Sequence, residues 1–125
     1  MKRILLAEDD PQIARLVKFK LEREGFSVEW VEDSEAALQR ARHDQFDLVL
    51  LDVMMPEMDG FQVLQELRAS EEFRDLPVII LTALTAEQDI VRSFEGGVTD
   101  YIDKPITPAV LRARARRWLL SRDHR

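Results

Sequence analysis

Cysteine is absent from the 125 residues. That excludes a disulfide framework, a thiolate zinc site and a cysteine nucleophile. No apolar run approaches the ~18 residues of a membrane span, so no membrane association is expected. The first residues, MKRILLAEDD, are too short and too soon acidic for a signal peptide, and the expected location is the cytoplasm. Internal repeats, low-complexity tracts and linkers are missing as well. What remains is 46% apolar and 34% charged, the composition of a soluble globular chain. Its length suits one domain with a real core. The expectation is a single domain over 1–125 with no further output domain.

Net positive charge is concentrated at the end of the chain. From Pro108 to Arg125 there are six arginines (112, 114, 116, 117, 122 and 125) against one acid, Asp123. That segment is +5, which leaves residues 1–107 at −11 within a net charge of −6. A domain so acidic is a poor nucleic-acid binder by itself, and no direct nucleic-acid contact is expected. The basic end reads either as a partner surface or as a solvated helix face whose arginines complement the helix dipole.

Short apolar runs alternate with helical patterns. ILLA (4–7) has the length and composition of a buried strand. Asp10 can cap the helix that follows, Pro11 suits its first turn, and Gly25 stops it. FSVEWV (26–31) alternates as a second strand, and Asp33 or Ser34 opens a helix to about His43. DLVLLD (47–52) is a third strand, MPEMDG (55–60) a loop, FQVLQELRAS (61–70) a helix and PVIILT (77–82) a fourth strand. Residues 86–95 read as a helix closed by Gly96 and Gly97. TDYID (99–103) is a fifth strand, and Thr107 caps a last helix with Pro108 at its start. Strand–helix repeated five times predicts a doubly wound α/β sandwich around a parallel sheet. In the flavodoxin-like order 2-1-3-4-5, the working site lies at the switch between strands 1 and 3.

Those two strands end in carboxylates. Glu8, Asp9 and Asp10 follow strand 1, and Asp52 ends strand 3. Two unit charges about 4 Å apart repel by roughly 4 kcal/mol at an effective dielectric of 20. With Asp10 turned away as a cap, Glu8, Asp9 and Asp52 remain together. A hard divalent cation, Mg²⁺ above all, relieves such a cluster. Strand 4 ends in Thr82 and strand 5 in Lys104–Pro105. A carboxylate nucleophile, a metal, a hydroxyl donor and a lysine are what phosphoryl transfer to Asp52 requires. Each residue also has an ordinary structural reading, Thr82 as a strand residue and Lys104 as a solvated one.

The EDD run at 8–10, LLDVMMPEMDG at 50–60, LTA at 81–83 and DYIDKP at 100–105 together resemble the receiver domain of bacterial two-component response regulators, over essentially the whole chain. The resemblance implies that Asp52 takes a phosphoryl group from a sensor histidine kinase or a histidine phosphotransfer protein. It implies Mg²⁺ held by Glu8 through water, Asp9, Asp52 and the backbone carbonyl of Met54. It implies that Thr82 and Lys104 bind the phosphoryl group, that Lys104–Pro105 is cis, and that Tyr101 is an aromatic switch moving with Thr82. The surface expected to respond is that of the fourth helix, fifth strand and fifth helix, where a homodimer could form. Beyond its own phosphorylation and slow dephosphorylation, no enzyme activity is expected. Met54 and Leu84, both apolar, flank the expected path of the hydrolytic water and predict a long-lived phosphoryl state. Ile106 and the GVTDY run (97–101) depart from the family pattern away from the chemistry.

Other readings fit less well. A haloacid-dehalogenase-type phosphatase needs a second aspartate where this chain has Met54. A nucleotide or flavin binder needs a phosphate loop where this chain has EDDP. A degenerate receiver that binds partners without phosphorylation would lack part of the acidic and basic set found here.

Overall fold

The computed structural model describes residues 1–52, 60–82 and 97–121, the side chains of Thr82 and Ser121 excepted. The expected helix at 86–95, Met54 and Leu84 lie outside the described residues. Five parallel strands form one sheet in the expected flavodoxin-like order β2-β1-β3-β4-β5. They are β1 (Arg3–Ala7), β2 (Ser27–Val31), β3 (Leu48–Asp52), β4 (Val78–Thr82) and β5 (Asp100–Asp103). The fifth strand begins one residue later than the sequence suggests, because Thr99 spends its groups differently. Its amide donates to the Val78 carbonyl at 2.9 Å and its Oγ1 accepts from the Val78 amide at 2.9 Å.

Period-two alternation divides the strand side chains between two cores. Ile4, Leu6, Leu48, Leu50, Ile79 and Leu81 face one side. There they meet Ala14, Val17 and Leu21 of α1 (Pro11–Arg23) and Leu111, Ala115 and Leu119 of the C-terminal helix (Pro108–Ser121). Leu5, Ala7, Val49, Leu51, Val78 and Ile80 face the other side. Their partners include Ala37, Leu38 and Ala41 of α2 (Ser34–His43) and Val63, Leu64 and Leu67 of α3 (Gly60–Ala69). Every residue of β3 is buried, as its central place demands. The edge strand β2 is only half-buried, so the expectation of strands covered on both faces holds for the middle of the sheet.

Local chemistry fixes the helix ends that frame the sheet's C-terminal rim. The Asp10 carboxylate accepts from the Gln12 amide at 2.9 Å, and Pro11 occupies the first turn, where a missing N–H costs nothing. Asp33 caps α2 by accepting from Ala36 at 2.7 Å. The chain leaves α1 through Gly25 at φ +91°, a conformation that disfavours any side chain.

Arg68 of α3 ties the lower part of the sheet together. Its guanidinium donates to the carbonyls of Phe73 and Leu76, each at 2.7 Å, and of Gly97 at 2.8 Å. Burial pulls its pKa down, against the charge of Asp75. Gly97 lies at φ +91°, and a Cβ there would come within 3.1 Å of Arg68 Cγ. Both its torsion and its contact with Arg68 therefore favour glycine.

Candidate phosphoryl-acceptor site

The register of β1 on β3 builds the site. Ile4 pairs with Leu48 and Ala7 with Leu51, so the next step sets Glu8 beside Asp52. The two acids share the parity of Ile4, Leu6, Leu48 and Leu50 and leave the sheet on the same face. Glu8 is 0% exposed and Asp52 2%. Asp9 is exposed, yet it offers a carboxylate oxygen that lies, with one from Glu8 and one from Asp52, in a set whose members are all within 4.8 Å of one another. Asp10 is drawn away, as expected, to cap α1.

Lys104 completes the cluster from the far side. Its ammonium is 3.3 Å from Asp52 Oδ2, to which it donates, and 3.1 Å from Glu8 Oε1. The second contact is a charge contact without hydrogen-bond alignment, and Glu8 Oε1 is left with no aligned donor among the described residues. Burial pulls Lys104 down, but the negative charge of Glu8 and Asp52 beside it outweighs that, and its pKa is raised. The peptide Lys104–Pro105 is cis, as the resemblance implied.

Glu8 carries the strain of the arrangement. Burial first, then hydrogen bonding to Asp52 and its like charge, push the Glu8 carboxyl from 4.5 up to about 8. The Asp10 amide, which donates to Glu8 Oε2 at 3.2 Å, and Lys104 oppose this only in part. One ammonium thus faces two buried carboxylates and a third at the surface. The donors are all hard oxygens, and one buried oxygen lacks an aligned donor. That set fits a small, hard divalent cation such as Mg²⁺.

Of the other expected site residues, Thr82 ends β4 beside Asp103 of β5, and its side chain lies outside the described residues. Tyr101 sits on edge strand β5, half-buried against the core on the α2–α3 side. Three donor side chains were not legible in the pattern. The Trp30 indole donates to the Glu8 carbonyl at 2.8 Å. The Trp118 indole donates to Asp100 Oδ2 at 3.1 Å. Arg114 donates to Asp100 Oδ1 at 3.0 Å and also to the Tyr101 carbonyl. Part of the basic segment is therefore engaged within the protomer, since Arg112 and Arg116 also lie 3.9 and 3.5 Å from Glu24.

An open parallel sheet with an acidic, lysine-countered cluster at its switch point defines a receiver-like member of the flavodoxin class. The chain belongs to the response regulator receiver domain family, whose model matches residues 4–116. It is 42% identical over 123 residues to the DNA-binding dual master transcriptional regulator RpaA of a Synechocystis strain, covering 98% of this chain and 51% of that protein. It is also 42% identical over 114 residues to the transcriptional regulatory protein SrrA of Staphylococcus aureus, covering 90% and 46%. The chain thus spans about half the length of these curated relatives. Among solved structures, it is similar to the signal receiver domain of a signal transduction histidine kinase from Syntrophus aciditrophicus. There the TM-score is 0.90, with 37% identity over 97% of this chain and 92% of the other. The receiver domain of a sensor histidine kinase from Pseudomonas aeruginosa superposes with a TM-score of 0.87 and 33% identity, covering 94% and 97%. That structure has a magnesium ion coordinated in its active-site cleft. Among the described residues no helix is long and apolar enough to cross a membrane.

Proposed function

We propose that this chain is a phosphorylation switch in which Asp52 accepts a phosphoryl group from the phosphohistidine of a sensor kinase or a histidine phosphotransfer protein. The observation that carries this reading is the buried Asp52 carboxylate, in register with Glu8 and held at 3.3 Å by Lys104. Glu8, Asp9 and Asp52 would hold Mg²⁺, with the Met54 carbonyl as a further ligand. When bound, the cation neutralises charge on the transferring group.

The residues divide the remaining work. Asp52 Oδ attacks phosphorus in line with the departing histidine nitrogen; the Oδ–P bond forms as the N–P bond breaks, and the imidazole leaves with that electron pair. Lys104 can follow the developing phosphoryl oxygens without leaving the site, because its ammonium already bridges Asp52 and Glu8. Thr82 donates its hydroxyl to the same group. Its displacement gives Tyr101 room to turn inward, altering the face of β5 and the C-terminal helix. A two-fold dimer through that face is the associated assembly. The names of the curated relatives point to gene regulation as the response controlled by such a switch. The expected site of action is the cytoplasm, with no lasting enzyme activity toward other molecules.

Incubation with a small phosphodonor such as acetyl phosphate and Mg²⁺ tests the reading. One phosphoryl group per chain is expected by intact mass, and none when the cation is chelated. Equal incorporation in both conditions would reject the metal-dependent reaction.

A further inference from the structure

Strand β2 ends where it is still needed. In a parallel ladder a residue's amide donates to one partner residue and its carbonyl accepts from the partner two positions on. The Glu8 amide donates to the Val31 carbonyl at 3.1 Å. A continuing β2 would then supply the Asp33 amide to the Glu8 carbonyl. But β2 stops at Val31, and Asp33 is already the cap of α2. The Glu8 carbonyl is served instead by the indole N–H of Trp30, at 2.8 Å. Trp30 is itself half-buried against the core on the α1 side, which holds the ring in place.

We infer that Trp30 is a positioning residue for the metal-binding acid pair. Its indole takes over a ladder position and so fixes the plane of the Glu8–Asp9 peptide. That plane decides whether Glu8, pointing inward, and Asp9, at the surface, reach one point beside Asp52. With the amide of Glu8 held by Val31, its carbonyl by Trp30 and its Oε2 by the Asp10 amide, the turn has little freedom left before any ligand arrives. A partner that orients a ligand from outside the coordination sphere commonly changes metal affinity by about tenfold or more.

This inference rests on the proposed Mg²⁺ site, and the test separates the two. Mg²⁺ binding is measured by calorimetry on wild type and on Trp30→Phe, which keeps an aromatic ring but removes the donor. Wild type that binds no Mg²⁺ would overturn the metal site itself, and the inference with it. Wild type that binds, with Trp30→Phe weaker by about three- to tenfold, supports the positioning role. Equal affinity in a folded Trp30→Phe overturns that role while leaving the site intact. If Trp30→Phe does not fold, Trp118→Phe decides, since it leaves Trp30 as the sole indole of the chain's two tryptophans. The indole N–H resonance should then shift on saturation with Mg²⁺; a resonance that stays in place overturns the inference.

Discussion

Glu8 and Asp52 are cross-strand neighbours. They are separated in sequence by a helix, a strand and another helix, yet the β1–β3 register sets them side by side on one face of the sheet. A receiver cannot gather its acids by local sequence alone. It must end two adjacent parallel strands in carboxylates of the same parity, and the chain does so with Ile4-Leu6-Glu8 and Leu48-Leu50-Asp52. The apolar members of each series hold the register, and the register holds the charges together.

The raised Glu8 carboxyl predicts that binding of Mg²⁺ is proton-linked. With its pKa near 8 in the metal-free fold and 4.5 as the ordinary value, the native state binds a proton that the unfolded chain has lost. The stabilisation this gives is fully present below 4.5 and disappears as pH rises through about 8. Metal-free stability is therefore predicted to fall between those limits, and Mg²⁺ to reduce the slope, because the cation replaces the proton. Urea midpoints across that range, with and without Mg²⁺, check it. Calorimetry at pH 7 in buffers of different ionisation enthalpy should report proton release on binding.

Lys104→Met is predicted to destabilise the metal-free fold in a pH-dependent way. At high pH it strips the counter-charge from two ionised, buried acids, at a cost of about 3–5 kcal/mol. At pH 6 the Glu8 proton already relieves the pair, and the loss should be smaller. A loss of equal size at both pH values would mean that Lys104 acts through packing alone.

Arg68→Ala is predicted to lower stability by about 1.5–3 kcal/mol, because three carbonyls lose a half-buried charged donor together. Arg68→Lys should recover only part, since one ammonium cannot reproduce the fork that spans Phe73, Leu76 and Gly97. Hydrogen exchange at Val78 and Thr99 should quicken in both variants, and unchanged protection there would remove Arg68 from the account of this corner.

Much of this molecule was legible because its signals are periodic or paired. The α/β alternation gave the five parallel strands, and Asp10, Pro11 and Gly25 marked the ends of α1 because each acts on the backbone right beside it. The convergence of Glu8, Asp9 and Asp52 could be read from the strand ends once the order was assumed. Side-chain donors that reach across the fold could not. Trp30 looked like one more aromatic in an alternating strand, and its bond to Glu8 exists only because β2 stops short. Nothing in the helical run FQVLQELRAS sets Arg68 apart. Thr99 read as part of a strand, whereas its hydroxyl anchors the start of β4. The arginines of the C-terminal helix read as a free basic surface, but Arg114 is held by Asp100 and the Tyr101 carbonyl.

The most direct test of the account is to locate the phosphoryl group. An aspartyl phosphate is reduced by borohydride to homoserine, which peptide mass spectrometry places in the sequence. After treatment with a small phosphodonor and Mg²⁺, homoserine is predicted at position 52 and at no other acid, and Asp52→Asn should take up no phosphoryl group. Homoserine at Asp9 or another aspartate instead of position 52, the 5-hydroxynorvaline that reduction of a glutamyl phosphate would leave at Glu8, or an Asp52→Asn variant phosphorylated to the stoichiometry of wild type, would contradict the account.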